Sequence, residues 1–363
     1  MKTLLVITGL GVGGAERLVT ALAERFVAEG HEVVLVRFHG EAEIRPSDPR
    51  VRLENLRMRR SPLGVLAAIL RLRRLILTFR PDVVNTHLVH ANILGRLLRL
   101  IIPMPSLITS AHNTNEEGRA RMLAYRVTDR LADMSTNVSQ EAVEAFEAQG
   151  AVKPGRMVAI HNGIDTDEFC FTASERLRIR EELGLSAVTA LVVAVGRLWE
   201  QKDYPSLLEA MALLGDARSW HLAVVGDGPL RHSLNAHANH LGIAHRVSWL
   251  GIRHDVPALM SGCDLFVLSS AWEGFGLVVA EAMACERPVV ATDCGGVREV
   301  VGDCGTLVPP RDPEALSTAI EKTLAMAQPQ KDALGQSARQ RVVARYSITA
   351  MADRYLAVYR GEY

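Results

Sequence analysis

Short runs of apolar residues alternate with longer stretches of helical periodicity along nearly the whole chain. In the first half the runs Thr3–Thr8, Glu32–Phe38, Asp82–Thr86, Ser106–Ala111, Met134–Val138 and Met157–Ile160 predict strands, and Gly14–Glu29, Pro62–Phe79 and Gln140–Gln149 predict helices between them. A strand that is apolar on both sides and separated from the next by a helix belongs to a parallel sheet covered on both faces. Around Asn162-Gly163-Ile164-Asp165 the pattern breaks into a polar, turn-rich stretch, followed by a charged helix over Ser174–Leu183. A second series then begins: Ala190–Val195, His221–Val225, Val247–Leu250, Leu265–Leu268, Pro288–Ala291 and Thr306–Val308, with a helical tail from Pro313. The pattern predicts an α/β protein of two doubly wound, Rossmann-like domains facing a central cleft, residues 1–165 and 166–345, with 346–363 as a C-terminal helix packing back on the first. Ligands of such sheets sit at the carboxyl ends of the strands.

A chain of 363 residues suits two domains of ordinary size. Lys plus Arg equals Asp plus Glu at 41 each, so overall charge argues for no nucleic-acid partner. The balance conceals an asymmetry. From Arg57 to Arg130 there are 13 Arg against the acids Asp82, Glu116, Glu117 and Asp129, a local excess of +9. Cys170, Cys263, Cys285, Cys294 and Cys304 show no CxxC or Cys/His ligand spacing, which argues for a reducing compartment and against a zinc site. The N-terminus runs from a strand straight into glycines, and no apolar run reaches the ~18 residues that span a bilayer. The expected location is cytoplasmic.

Candidate chemistry sits where strands end. Gly9-Leu10-Gly11-Val12-Gly13-Gly14 contains G-x-G-x-x-G ahead of a helix, a dinucleotide fingerprint. The acid that fingerprint needs is missing, because the second strand ends Val36-Arg37-Phe38-His39. What is left is either a tight turn or a set of backbone N–H groups suited to a phosphate or sugar oxygen. Arg197 and Lys202 follow strand Ala190–Val195 and are spaced to straddle a diphosphate, although a solvated basic loop has the same pattern. Gly226-Asp227-Gly228-Pro229 reads mainly as a structural turn. In Glu273-Gly-Phe-Gly-Leu-Val-Val-Ala-Glu281, Glu273 lies in an exposed turn and Glu281 well inside a helix whose N-terminus is open to an anion. Alone, the pair reads as a solvated N-terminal Glu and a helix-surface Glu more readily than as a binding site.

Taken in order, Gly13-Gly14-Ala15-Glu16, Asn162-Gly163-Ile164-Asp165, Val195-Gly196-Arg197 with Lys202, Gly226-Asp227-Gly228-Pro229 and the pair Glu273/Glu281 resemble the family 4 glycosyltransferases over essentially the full chain. These are retaining enzymes of the GT-B fold that use nucleotide-sugars. The resemblance implies that Arg197 and Lys202 bind the donor diphosphate, helped by backbone N–H groups at Gly13 and Gly14 and at Phe275, Gly276 and Leu277. By the same resemblance Glu281 binds the ribose, Glu273 contacts the donor sugar near the reacting carbon, and His112 lies beside the transferred sugar. The backbone near Gly251–Arg253 holds the base. Leu268-Ser269-Ser270 departs from the Pro-Ser usual in the family.

The implied reaction transfers a hexose or N-acetylhexosamine from a UDP- or GDP-sugar to a glycan or lipid-linked acceptor, in cell-surface polysaccharide or lipopolysaccharide assembly. No D-x-D metal handle is flanked by apolar strand residues, so Arg197 and Lys202 are expected to do a metal's work, with no cofactor. The Arg57–Arg74 region, with Arg71, Arg73 and Arg74 and no acid in Leu63–Leu77, suggests peripheral binding to an anionic membrane surface on the cytoplasmic face of the inner membrane, or else a solvated helix face. A nucleotide-sugar epimerase of the same fold and a non-catalytic nucleotide-sugar-binding protein are the alternatives.

Overall fold

The structure is a computed structural model describing residues 1–11, 13–113, 118–215 and 219–362. Val12 of the glycine loop and Glu116 and Glu117 of the charge count lie outside the described residues. The chain divides into two compact units, Met1–Gly163 with Ile348–Tyr363, and Ile164–Ser347.

In the first unit the elements run β1 (Lys2–Ile7), α1 (Gly14–Ala28), β2 (Glu32–Arg37), β3 (Arg52–Asn55), α2 (Pro62–Phe79), β4 (Val83–His87), α3 (Val89–Leu98), β5 (Leu107–Ser110), α4 (Arg119–Thr128), β6 (Met134–Asn137), α5 (Gln140–Ala148) and β7 (Met157–Ala159). The second unit holds α6 (Ala173–Glu182), β8 (Ala190–Val195), α7 (Tyr204–Leu213), β9 (Trp220–Val225), α8 (Arg231–His240), β10 (Val247–Gly251), α9 (Val256–Gly262), β11 (Leu265–Leu268), α10 (Leu277–Ala284), β12 (Val289–Thr292), α11 (Val297–Val301), β13 (Thr306–Val308), α12 (Pro313–Ala325) and α13 (Gln328–Tyr346). The last helix, α14 (Ile348–Tyr359), returns to the first unit.

All strand pairs within the two sheets are parallel, in the orders β3-β2-β1-β4-β5-β6-β7 and β10-β9-β8-β11-β12-β13. In both, the chain winds outward from its first strand, then reverses to the other side. The reversals fall between β1 and β4 and between β8 and β11. Strand tips at such a reversal diverge and open a crevice for ligands.

Burial explains the continuous apolar strands. In β1, Leu4 and Val6 pack in a cluster with Leu72 and Ile76 of α2, while Leu5 and Ile7 pack in another with Leu22 and Phe26 of α1 and Tyr355 and Tyr359 of α14. In the second unit Val192 and Val224 lie in one cluster with Leu207 and Met211 of α7 and Ile320 of α12. At the passage between units Ile164 N donates to Tyr346 O at 2.7 Å. A Cβ on Gly163 would stand 2.8 Å from Ile348 Cα, so only glycine fits there.

One charge is sealed inside. Arg96 of α3 has no exposed surface; its guanidinium donates to Thr109 Oγ1 at 2.9 Å, Ser135 Oγ at 2.8 Å and Tyr125 O at 3.1 Å, and lies 4.7 Å from the Tyr125 ring centroid. It braces β5 and β6 against α3 and α4. Among the described residues no helix is long and apolar enough to cross a membrane.

Candidate active site

The loop after β8 and the loop after β11 meet at the reversal of the second sheet, and side chains stitch them together. Ser269 Oγ donates to Lys202 O at 2.7 Å, Ala271 N to Gln201 O at 2.8 Å, and Gln201 Nε2 to Trp272 O at 3.0 Å. The charged centre of the seam is an ion pair between Lys202 Nζ and Glu273 Oε1. Ser270 Oγ donates to the same oxygen at 2.7 Å. Ser270 is itself fixed, its carbonyl accepting from Thr292 Oγ1 at 2.6 Å and from Cys294 Sγ at 3.3 Å. Glu273 keeps only 9% of its side chain exposed. The expectation of an exposed turn is therefore corrected: the carboxylate is enclosed because the Lys202 ammonium from the neighbouring strand end and the Ser270 hydroxyl of its own loop hold it.

Close backbone contacts set the loops. Gly295 has φ +56°, and a Cβ there would run into Glu273 O. The Gly226–Gly228 turn packs against Gly196 and Leu198. Leu198 N donates to Asp227 O at 3.0 Å and Leu230 N to Leu198 O at 3.2 Å, so the turn supports the cationic loop. Tyr204 adds its hydroxyl to Gly196 O at 3.0 Å; burial, then the Glu273 charge, keeps that phenol protonated well above its usual range.

The other expected donor residues surround this seam less tightly. Arg197 is exposed, its guanidinium 4.6 Å from the Trp199 ring centroid. Gly276 caps α10 with φ 85°, and no side chain caps that helix end. Phe275 is buried against Tyr346, Leu277 opens the helix, and Glu281 is half-buried within it. Gly251 accepts from Gly226 N at 2.8 Å, which ties the end of β10 to the seam. The Arg253 guanidinium is committed elsewhere, to Glu182 at 2.5 Å and Asp255 at 2.8 Å, leaving its backbone as the part available for a base.

In the first unit, Gly13 is the extended N-cap of α1, and a Cβ on it would strike the Glu16 carboxylate. The helix end expected to receive a phosphate or a sugar oxygen thus has an acid of its own beside it. His112 lies just past β5, with Nε2 3.1 Å from Nδ1 of His87, the last residue of β4. Burial pushes the His112 ring down to about 4, and burial followed by the His112 charge lowers His87 well below its usual range.

Sequence reasoning gave no role to Ser269, Ser270, Glu16 or His87. The departure at Leu268-Ser269-Ser270 was the available signal for the first two, since both hydroxyls lie within the seam.

Two family models match the chain: "Glycosyltransferase Family 4" over residues 12–168 and "Glycosyl transferases group 1" over residues 189–326. The putative glycosyltransferase EpsD of Bacillus subtilis is 30% identical over 321 residues, 83% of this chain and 83% of that protein. The Escherichia coli UDP-Gal:alpha-D-GlcNAc-diphosphoundecaprenol alpha-1,3-galactosyltransferase is 27% identical over 245 residues, 64% of this chain and 62% of the other. Among solved structures, Anabaena Alr3699/HepE in complex with UDP superposes with a TM-score of 0.86 at 24% identity, covering 99% of this chain and 100% of that one.

Proposed function

The chain belongs to the family 4 glycosyltransferases, enzymes of the GT-B fold, and from that premise we propose that it moves a hexose or N-acetylhexosamine, with retention, from a UDP- or GDP-sugar to a glycan or lipid-linked acceptor. The observation that supports it most is the Lys202–Glu273–Ser270 seam at the reversal of the second sheet, beside the uncapped α10. In this reading Lys202 and Arg197 bind the donor diphosphate and Glu281 binds the ribose. Glu273, near the reacting carbon, holds Lys202 in place until the donor arrives. The C1–O bond to the diphosphate breaks, the acceptor oxygen bonds to C1, and the acceptor's proton leaves with the diphosphate. Charge building on the leaving group meets fixed cations, so no metal is needed.

The Glu16 carboxylate repels a second anion at α1, so the glycine loop suits a sugar hydroxyl better than a phosphate. His112 takes the place beside the transferred sugar. Uridine is the first base to test, because the E. coli relative is named for UDP-Gal and the Anabaena protein was solved with UDP. A role in polysaccharide or lipopolysaccharide assembly and a lipid-linked acceptor are supported by the first of those names and by α2. That helix exposes Leu63, Leu66 and Leu70 among Arg59, Arg60, Arg73 and Arg74, a surface suited to the cytoplasmic face of an anionic membrane. The epimerase and the non-catalytic alternatives find no support among these relatives.

The test is thermal denaturation with UDP, GDP, ADP and their sugars, with and without EDTA. One nucleotide at about 100 times its Kd should add about 2.7 kcal/mol to stability. That gain should persist in EDTA and shrink in Glu281→Gln. A melting temperature that no nucleotide raises would remove the donor-site assignment, and a rise that EDTA abolishes would remove metal independence.

A further inference from the structure

The His87–His112 pair has a property that its hydrogen-bond count fixes. β4 and β5 run side by side with His87 opposite Ser110, which brings His112 within reach of the His87 ring. The ring centroids are 5.4 Å apart, the planes inclined by 35°, and the only nitrogens in contact are His87 Nδ1 and His112 Nε2. One of them donates and the other accepts.

The far side of His87 decides which. His87 has no exposed surface, and its Nε2 finds no partner among the described residues. The polar groups of the neighbouring layer are already engaged: Tyr359 donates to Asn85 Oδ1 at 2.6 Å, Asn85 Nδ2 donates to Ser110 Oγ at 3.0 Å, and Thr136 Oγ1 donates to Ser110 Oγ at 2.8 Å. A buried N–H with no acceptor is the rarer and costlier defect, and a bare acceptor is more readily tolerated. His87 therefore carries its hydrogen on Nδ1 and donates it to His112 Nε2. Neutral His112 must then keep its own hydrogen on Nδ1. Leu88, next in sequence, is held at φ 73° and ψ 153°, a region that a non-glycine residue rarely adopts. Such strain persists only where surrounding contacts over-determine it, and it is found at functional sites.

We propose that His87 is a positioning residue that fixes His112 as a neutral Nδ1–H tautomer, so that His112 meets the transferred sugar as a hydrogen-bond donor. The proposal rests on His112 touching the donor sugar, and its test separates the two ideas. In the ligand-free full chain with 15N-labelled histidine, two-bond nitrogen–proton correlations should report His112 protonated at Nδ1. His87→Phe keeps a ring but removes the donor and should move the His112 proton to Nε2; His87→Asn, which retains an N–H where Nδ1 stood, should preserve the wild-type tautomer. Wild-type His112 protonated at Nε2, or an unchanged His112 signal in a folded His87→Phe protein, would overturn the proposal.

Kinetics test the premise. With UDP-glucose, UDP-N-acetylglucosamine and GDP-mannose as donor probes, His87→Phe should lower kcat about tenfold at little-changed KM. His87→Asn should recover most of that loss, and adding His87→Phe to His112→Ala should cost nothing further. If His112→Ala leaves kcat unchanged while the tautomer still follows residue 87, the pair is as described and the role given to His112 is wrong.

Discussion

At the residue scale, the proposed reaction gives each side chain of the seam a different share. In that reading Lys202→Ala removes the cation that meets the leaving group and should lower kcat by ~10²-fold or more. Ser270→Ala removes one hydrogen bond to a charged oxygen, worth about 1.5–3 kcal/mol, and leaves Lys202 on Glu273. Its effect should be roughly tenfold on kcat, smaller than the lysine's, and a rate assay at saturating donor orders the two. An equal loss in both would mean that the serine does more than position the carboxylate. Lys202, Arg197, Glu273 and Glu281 are proposed as donor residues from their order along the chain. For the serines the sequence offered only the departure at Leu268-Ser269-Ser270, because the Ser269 bond to Lys202 O depends on two loops from different strands meeting. The histidines make a second prediction. Burial holds His112 at about 4 against an ordinary 6.5, with His87 also lowered, so below 6.5 the unfolded chain binds protons more readily than the folded one. Their contribution to stability is full above about 6.5 and is lost as pH falls toward about 4. Urea midpoints across that window should fall less steeply in His87→Phe/His112→Phe than in the wild type.

At the scale of elements, what could be read and what could not divide along physical lines. α2 was legible because Ser61 caps it, accepting from Gly64 N at 3.1 Å, with Pro62 in its first turn. α3 has no such signal: its N-cap is Leu88, in a backbone conformation that no sequence rule assigns to leucine, and it starts directly after His87. β3 was missed because Arg52–Asn55 is a short edge strand, nowhere fully buried, whose composition does not mark it as sheet. The polar residues on β5 and β6 are a related case. Thr109 and Ser135 look out of place in a buried parallel sheet until Arg96 is seen between them. That explanation is testable by equilibrium urea unfolding. Arg96→Ala strips the hydroxyls and the Tyr125 carbonyl of their donor and leaves a cavity, and a buried polar group left unsatisfied costs about 1–3 kcal/mol. A loss below about 1 kcal/mol would show that the sealed guanidinium is not what holds α3 to β5 and β6.

At the scale of the whole molecule, a formal charge of zero coexists with a first unit that carries both exposed leucines and a run of arginines. The leucines are the part that sequence charge counting does not reveal. α2 buries Ala68, Leu72, Leu75 and Ile76 against the sheet, yet Leu63, Leu66, Leu70 and Leu77 stay 79%, 51%, 56% and 41% exposed. A helix that is apolar on both sides, with Arg73 and Arg74 exposed, has a second apolar stripe that water does not favour. In the proposed function an anionic bilayer would cover that stripe and would attract the arginines at about 1 kcal/mol each, an attraction that falls off within a Debye length. Flotation of the full chain with phosphatidylcholine vesicles, with and without phosphatidylglycerol, separates the contributions. The protein should float only with the anionic lipid and return to solution as salt is raised. Replacing Leu63, Leu66 and Leu70 with Ser should weaken flotation at every salt concentration, whereas replacing Arg59, Arg60, Arg73 and Arg74 with Gln should remove the dependence on anionic lipid. Flotation equal on both vesicle types would remove the electrostatic argument, and flotation unaffected by either set of replacements would leave α2 as a solvated helix and withdraw the support it lends to a lipid-linked acceptor.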